Sequence, residues 1–578
     1  MTFSPGLNPS DLEPAGSAAS RPLPRRFDPA PPRTALPGGT RLPALGSEML
    51  VLLAGLFFAL TCNGQFWHAA LAGRSATSGG TWSFACALLA ALVAIHFLLI
   101  APFATRRTVK PLLSILFVAT AFATYYMDSF SVYLDPGMLR NVLATELKES
   151  RDLLTWRMGL HLVMQAGPPL LLLWLVPLRR TPVLRAVGIR LLWLAGALLL
   201  AAGAIGLAYQ DLSSLMRNHK EARYLVTPAN FLYSTARALT SAAPGAAQAR
   251  LEVGGDARLA NSPRVGGKPA LFVMVVGETA RAANWGLGTY DRQTTPELAL
   301  RNVINFDAVR ACGTDTETSL PCMFAAVGRR DYDAERIRRS DSLLHILRRA
   351  GFDVIWRDNN TGCKGVCAGL EEERVDRQSF ADLCAEGACL DEALLRGMDD
   401  VLRDHKGNLF VVLHQMGSHG PAYFNRYPPE FRRFTPSCDT ADLRACSRQE
   451  IVNAYDNSIL YTDHFLARLL DFLVAKQPDY DTALLYVSDH GESLGEAGLY
   501  LHGIPYAVAP SVQKEVPMVM WLSPGFSAAY GLDQACLRRQ ARLPMSHDNL
   551  FHSVLGMLDV VTSARDSSLD LSLPCHAG

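Results

Sequence analysis

Acidic residues are missing from two long stretches of this chain. Neither Asp nor Glu occurs from Met49 to Met127 or from Met158 to Gln210, whereas carboxylates are frequent after Asp211. A water-soluble surface carries charge of both signs, so the pattern reads as a membrane half followed by a water-soluble half. Net charge is nearly absent as well: 55 Lys and Arg stand against 54 Asp and Glu, +1 over 578 residues. That balance gives no basic excess of the kind that holds nucleic acid, and no nucleic-acid partner is expected. Cysteine is scarce at first, with only Cys62 and Cys86 before Gly254 and ten after it. The early two lie in apolar runs and read as small buried side chains. The later ones fall into close pairs, Cys312/Cys322, Cys363/Cys367, Cys384/Cys389 and Cys438/Cys446, with Cys536 and Cys575 left as a fifth. No two pairs repeat the short CxxC spacing of a four-cysteine zinc site. Disulfides in an oxidising compartment are the better reading.

The length allows more than one domain. Residues 1–46 are rich in Pro, Ala and Arg without aliphatic periodicity, a disordered arm that lacks the layout of a cleavable signal peptide. Five apolar segments follow, about Glu48–Phe66, Trp82–Phe103, Pro111–Met127, Met158–Leu178 and Ile189–Tyr209. Each approaches the roughly 20 residues that cross a bilayer, which defines a five-span domain over 47–210. Arg106, Arg107 and Lys110 follow the second span, and Arg179, Arg180, Arg185 and Arg190 follow the fourth. The positive-inside rule then places the N-terminus in the cytoplasm and the region after the fifth span outside, in a bacterial cell the periplasm. Between spans three and four, Asn141, Thr145 and Glu149 recur four residues apart and share one helix face. That face reads either as the solvated side of a surface helix or as a polar row facing a lipid head group. Residues 211–268 read as an interfacial helix and linker.

From residue 269 onward apolar strand-like runs alternate with helical ones, the pattern of an α/β domain. Strands are expected at Ala270–Val276, Phe352–Trp356, Leu409–Leu413, Thr482–Val487 and Val516–Leu522. Helices are expected at about Ser340–Ala350, Ala393–Asp404 and Gln449–Ala475. Polar residues cluster just past the strand ends, where open α/β sheets bind ligands. Glu278, Asp489 and His490 lie there as candidate metal ligands, a mixed oxygen and nitrogen set that suits zinc. His419 and His502 sit in glycine-flanked loops, able to reach a phosphate or a second metal, or simply solvated. His414 reads as a structural histidine at a strand end. Asn360 is a candidate hydrogen-bond donor to a phosphoryl group, and Lys364 reads either as its positive charge or as a surface loop lysine. The stretch Ala311-Cys-Gly-Thr-Asp-Thr-Glu-Thr-Ser-Leu-Pro-Cys322 carries four hydroxyls between two cysteines. It suits a rigid loop that presents one hydroxyl to a metal or a substrate; zinc coordination would lower its pKa for attack on phosphorus.

Several strings resemble the phosphoethanolamine–lipid A transferases, a family that includes the mobile colistin-resistance enzymes. They are Val275-Val-Gly-Glu-Thr-Ala-Arg-Ala282, Cys312-Gly-Thr-Asp-Thr316 with Leu320-Pro-Cys-Met-Phe324, Trp356-Arg-Asp-Asn-Asn360, His414-Gln-Met-Gly-Ser-His-Gly-Pro-Ala-Tyr-Phe424, Asn453-Ala-Tyr-Asp-Asn457 and Tyr486-Val-Ser-Asp-His-Gly-Glu-Ser-Leu-Gly495. The five spans, the Asn141/Thr145/Glu149 row and Arg217-Asn-His-Lys220 fit the same resemblance, which runs from Glu48 to the C-terminus. It implies an alkaline-phosphatase-like α/β/α sandwich on a five-helix transmembrane domain. It implies Zn²⁺, one ion or two, held by Glu278, Thr316, Asp489 and His490, with Thr316 as the nucleophile that becomes phosphoethanolaminated. His419 and His502 would then help bind a second zinc or the phosphoryl group, and Asn141, Thr145 and Glu149 would contact substrate. The implied donor is phosphatidylethanolamine and the acceptor a lipid A phosphate, at an inner membrane, through a monomeric enzyme that confers resistance to polymyxin. One departure stands out: Asp315 and Glu317 make the nucleophile loop more acidic than the resemblance leads one to expect.

Transfer to the lipopolysaccharide core or a periplasmic glucan would keep the same chemistry with another acceptor. A sulfatase typically matures a Cys or Ser in a Cys/Ser-x-Pro-x-Arg setting, which Cys312-Gly-Thr does not supply. A sensor without turnover would be expected to lose Thr316 or a ligand, and all are present.

Overall fold

The computed structural model describes residues 43–72, 74–130, 132–144, 154–209, 211–212, 215, 220–242, 250–260, 267–375, 380–385 and 388–576. Its N-terminal half is helical. The helices are α1 (Ser47–Thr61), α2 (Gly64–Leu71), α3 (Gly79–Ile100), α4 (Val109–Phe130), α5 (Pro136–Ala144), α6 (Trp156–Leu175), α7 (Val183–Leu207) and α8 (Ala229–Ala242). Four of them are long and apolar enough to cross a membrane, α3 (which continues to Phe103), α4, α6 and α7. The first expected span is not one straight helix. It divides into α1 and α2, bent by 60°, so a fifth span exists only if the bent pair counts as one. Asn63 sits at the bend, fully buried, and donates to the carbonyls of Phe58 (2.7 Å) and Thr227 (2.8 Å). Its Oδ1 also accepts the Thr227 N–H at 2.8 Å. A buried amide must be paired, and this pairing ties the bend to the segment before α8. Near the start of α1, Glu48 forms an ion pair with Arg190 of α7 at 3.1 Å. The row Asn141, Thr145 and Glu149 is described only in part: Asn141 lies on α5, while Thr145 and Glu149 lie outside the described residues, as do Arg217 to His219.

The C-terminal half is built on a seven-stranded sheet. Its strands are β1 (Ala270–Gly277), β2 (Ile304–Asn305), β3 (Asp353–Asp358), β4 (Glu371–Arg374), β5 (Leu409–His414), β6 (Asp481–Ser488) and β7 (Met518–Leu522), in the order β2-β7-β6-β1-β5-β3-β4. The five from β6 to β4 are parallel, and β7 and β2 pair antiparallel at one edge. Strand β1 is buried at every position, as a parallel strand covered on both faces must be. Phe272, Met274 and Val276 join one core with Leu344, Leu347, Phe551 and Val554; Leu271, Val273 and Val275 join the other with Val401, Ile459, Phe465 and Leu469. Helices therefore cover both faces, giving the α/β/α sandwich.

Four of the expected strands appear within two residues of their bounds. The fifth, Val516–Leu522, splits at Pro517, which has no N–H to give a ladder: Glu515–Val516 joins a small separate sheet, and only Met518–Leu522 enters the main one. The expected helix Ala393–Asp404 also divides, into a short 3₁₀ turn (Asp391–Leu395) and an α-helix (Met398–Asp404), at Gly397 with φ +72°. All five cysteine pairs form disulfides, and Cys62 and Cys86 are free. Cys86, expected to be buried, is exposed, as are many apolar side chains of the helical half.

The two halves touch beside the sheet edge that carries the polar loops. Phe130 and Val132, at the end of α4, belong to a buried cluster of the α/β half that includes Tyr423 and Leu494. Arg157 pairs with Asp442 at 2.9 Å, and Arg444 donates to the carbonyl of Asp128.

Candidate active site

Sheet register assembles the site. Gly277 at the end of β1 lies opposite Ser488 at the end of β6, and Val276 lies opposite His414 of β5, itself opposite Asp358 of β3. The next residues along β1 and β6, Glu278 and Asp489, therefore emerge side by side, with His490 after them. One oxygen of each carboxylate and one nitrogen of His490 lie within 4.8 Å of one another, and all three residues are buried. His490 Nε2 is 3.4 Å from Glu278 Oε1 and 3.5 Å from Asp489 Oδ2. Asp489 Oδ1 accepts the backbone N–H groups of His490 (2.7 Å) and Thr279 (3.3 Å), which turns Oδ2 towards Glu278 and His490.

Backbone shape makes room for this cluster. Gly417 has φ +52°, and a Cβ there would come within 2.7 Å of the Glu278 carbonyl oxygen. Only glycine allows both the conformation and the approach. Thr279, the residue after Glu278, is itself held at φ 52°.

Opposite the cluster stands Thr316. It is the first residue of a helix (Thr316–Met323) capped by Asp315, whose side chain accepts the Thr318 N–H at 2.9 Å. The Cys312–Cys322 disulfide joins the preceding loop to the last turn of that helix. Thr316 Oγ1 donates to Glu278 Oε2 at 3.0 Å and lies 3.3 Å from His490 Nε2. Two of the other three hydroxyls of the loop are engaged elsewhere: Thr314 donates to the Ile504 carbonyl (2.7 Å), and Ser319 to the Asp489 carbonyl (2.5 Å). The unexpected acidity of the loop now has a physical account. Asp315 is the helix cap, a favoured place for a carboxylate, and Glu317 pairs with Arg338 at 2.9 Å.

Electrostatics at the cluster favour a bound cation. Burial opposes ionisation of Glu278, yet its hydrogen bond with His490 and the charge there hold it below the usual carboxylate range. Burial, then the charge of Glu278, pushes Asp489 up to about 6. Burial works against the charge on His490 too, but Asp489 and Glu278 hold it at about 10. Glu278 Oε1 and Asp489 Oδ2 are fully buried without a hydrogen-bond partner. Buried carboxylate oxygens are costly unless paired or bound to a metal, so this donor set fits a divalent cation. A second grouping, Cys363, Cys367 and Glu372, does not fit one, because its two sulfurs are joined as a disulfide.

Asn360 belongs to the cluster. Its amide donates to Glu278 Oε2 (2.8 Å) and to the Gln415 carbonyl (2.9 Å). Behind it, buried His414 pairs with Asp358 at 2.8 Å, and Asp358 also accepts the Trp356 indole N–H at 2.8 Å. His419 and His502 stand on the far side with ring centroids 5.5 Å apart, and the His502 ring is 4.4 Å from that of His490. His502 Nδ1 lies 3.3 Å from Glu492 Oε2, a buried carboxylate that the sequence reading quoted within a motif but gave no part.

These groups open onto a cavity of about 600 Å³. Thr316, Asn360, Lys364, His419 and His502 line its polar end, and Phe122, Tyr126, Phe130, Met138, Leu139 and Val142 of α4 and α5 line the rest. Lys364, held at φ 48° inside the Cys363–Cys367 loop, is thus a wall of the cavity. The apolar wall went unread in sequence because α4 looks like any other span; the aromatics at its last turns were the available signal.

A mostly parallel sheet with a carboxylate–imidazole cluster and a helix-borne hydroxyl at one edge, joined to membrane-length helices, defines a membrane-anchored enzyme built on the sulfatase fold. Residues 270–560 match the sulfatase family, and residues 92–243 match the family described as phosphoethanolamine transferase EptA/EptB. Phosphoethanolamine transferase EptA of Salmonella typhimurium is 38% identical over 464 residues, 79% of this chain and 84% of that protein. Phosphatidylethanolamine transferase Mcr-1 of Escherichia coli is 37% identical over 435 residues, 72% of this chain and 79% of its own. The integral membrane lipooligosaccharide phosphoethanolamine transferase A of Neisseria meningitidis superposes with a TM-score of 0.87 at 36% identity, over 93% of this chain and 100% of that one. This chain belongs to the phosphoethanolamine transferase family.

Proposed function

We propose that this protein moves phosphoethanolamine from phosphatidylethanolamine to a phosphate of lipid A, through a covalent adduct on Thr316, and so protects the cell against polymyxin and other cationic peptides. The observation that carries the reading is the hydroxyl of Thr316, set against Glu278 and His490 at the mouth of a cavity whose other walls are membrane helices. Both substrates are lipids, and a cavity with one polar and one apolar end suits a phosphodiester with acyl chains attached.

Glu278, Thr316, Asp489 and His490 would hold one Zn²⁺, and His419 and His502 would hold a second ion or the phosphoryl oxygens. Zinc bound there would make the Thr316 hydroxyl a better nucleophile and withdraw charge from phosphorus. The chain's own residues do the rest. Thr316 Oγ1 forms a bond to phosphorus as the bond from phosphorus to the diacylglycerol oxygen breaks; the Thr316 proton passes along its hydrogen bond to Glu278 Oε2 and on to the departing diacylglycerol oxygen, which leaves as the alcohol. Lys364 and the Asn360 amide are assigned to the equatorial oxygens, where phosphoryl transfer needs charge and donors, with Asn360 exchanging one of its bonds, to Glu278 Oε2 or the Gln415 carbonyl, for a phosphoryl oxygen. In the second step an oxygen of a lipid A phosphate monoester attacks the same phosphorus as the bond from phosphorus to Thr316 Oγ1 breaks, and the proton of that phosphate hydroxyl passes to Thr316 Oγ1. Asn141, Thr145 and Glu149 are assigned to the ethanolamine end, with Glu149 facing the ammonium. The N-terminus is assigned to the cytoplasm and the α/β half to the periplasm, at the inner membrane.

The test is intact-protein mass spectrometry after incubation with phosphatidylethanolamine alone. A phosphoethanolamine adduct mapped to Thr316 is expected, and its absence from an otherwise active preparation would exclude the covalent route. Metal analysis of the purified protein should find zinc, and less of it in Glu278→Gln; equal content in both would remove Glu278 from the ligand set.

A further inference from the structure

One group of cations near the active site packs against tyrosine rings rather than against carboxylates. Arg329 stacks its guanidinium 3.8 Å from the centre of the Tyr506 ring and 4.9 Å from that of Tyr332, while the Lys514 ammonium lies 5.3 Å from the Tyr506 ring and donates to the Tyr506 carbonyl at 3.4 Å. Burial, then the charge of Arg310, holds Lys514 below its ordinary value, with Glu515 opposing and Arg329 adding to the shift. Among the described residues, none of the three cations has a carboxylate partner within ion-pair distance. Two carboxylates are near. Glu515 stands opposite Arg310 in a two-strand ladder without pairing to it, and Asp548 accepts the backbone N–H groups of Arg329 and Arg330. Arg330 itself pairs with Asp566 at 3.0 Å. Two cations on one aromatic ring with a third close by repel one another, a cost that a bound anion would offset.

Their position is informative because they share backbone with the nucleophile loop. The Ala311 N–H donates to the Lys514 carbonyl (2.7 Å), and the Tyr506 hydroxyl donates to the Ala311 carbonyl (3.0 Å). Thr314 bonds both Ile504 and Gly503, next to His502. The cationic group is therefore fixed to the two segments that set Thr316 and His502 in place.

We propose that Arg310, Arg329 and Lys514, gathered around Tyr506 at the start of the nucleophile loop, dock the acceptor lipid by a phosphate of its saccharide head. The inference rests on the proposed function for the identity of the acceptor. Guanidinium and ammonium donors suit phosphate oxygens, and a lipid with a phosphorylated saccharide head could place one phosphate here while it offers another to Thr316.

The experiment measures binding of lipid A, dephosphorylated lipid A and phosphatidylglycerol to the full-length protein in phosphatidylcholine nanodiscs. The double variant Arg329→Gln/Lys514→Gln should bind lipid A roughly tenfold or more weakly, about the loss of one charge-assisted contact. Lys514→Arg alone should keep wild-type binding, and removing the phosphates from lipid A should erase the difference between wild type and double variant. Unchanged lipid A binding by the double variant would overturn the proposal, as would an equal loss for phosphatidylglycerol, which would mean general surface charge. Should the double variant not fold, Arg310→Gln, at an exposed position, gives the same comparison. Adduct formation by the wild-type protein before any acceptor is added tests the underlying function separately.

Discussion

The two halves of this chain use apolar side chains in opposite ways. In the α/β half, β1 is buried at all eight positions, and Phe272 and Val273 have no exposed surface. In the helical half, α7 leaves Leu184 89% exposed and Leu199 74% exposed, and only its small residues Ala197, Ala201 and Ala204 are buried. Such surface is untenable in water, but in lipid it is the natural outer face of a helix, whose backbone bonds are satisfied internally. Burial thus marks the core in one half and contact between helices in the other. The candidate active site lies where the two regimes meet, and its cavity takes its polar end from one and its apolar wall from the other.

The sharpest way to separate the halves is to change chemistry without changing packing. Thr316→Ala removes a half-buried hydroxyl and should lower transfer by on the order of 10⁴-fold or more, while the thermal melting of the protein stays within a degree or two. Turnover assays beside melting curves check both parts, and residual transfer within tenfold of wild type would remove Thr316 from the chemistry. Phe272→Ala should do the reverse. Emptying a fully buried site in β1 costs about 3–5 kcal/mol, read as a large drop in the denaturant midpoint of the α/β half; a small drop would mean the sheet core is looser than its burial implies. Leu198→Arg tests the other regime. At an exposed position a charge is tolerated in water, but near the middle of a lipid-facing helix it costs about 2.5–3.5 kcal/mol on the insertion scale, so membrane-inserted protein should fall. Normal insertion would mean that this face does not meet lipid. The smallest effect is expected at the bend between α1 and α2. Asn63→Ala there leaves the Phe58 and Thr227 carbonyls and the Thr227 N–H without that partner, at about 1–3 kcal/mol. A melting temperature unchanged in detergent would show that the bend is held by packing alone.

Much of the fold was legible because its signals are local. Carboxylate-free runs announced the membrane helices, and apolar runs of strand length found β1, β3, β5 and β6 to within two residues of their bounds. Close spacing sufficed for four of the cysteine pairs, since short loops bring such residues together. Interruptions were harder to see. Pro517 and Gly397 each divided an element that had been read as continuous, and Asn63 bent a span read as straight. A polar residue inside an apolar run signals nothing unless its partner is known, and the partner of Asn63 is Thr227, distant in sequence.

At the site, residue identity was in the sequence and geometry was not. The strings around Glu278, Asp489 and Thr316 could be picked out, as could the hydroxyl-rich loop between Cys312 and Cys322. Which of its hydroxyls is free to act was decided by neighbours far along the chain: Ile504 occupies Thr314, the Asp489 carbonyl occupies Ser319, and Thr316 alone of these three faces Glu278. The acidity of Asp315 and Glu317 was likewise puzzling in sequence and resolves once a helix terminus and Arg338 stand beside them. By itself the sequence determined the division into a lipid-borne and a water-borne half, because hydropathy and charge belong to each residue wherever it goes. Only the tertiary structure decided what those halves enclose. The register of parallel strands set Glu278 beside Asp489, and the packing of α4 and α5 against that sheet edge made a wall of apolar residues that no local pattern distinguishes from an ordinary membrane span.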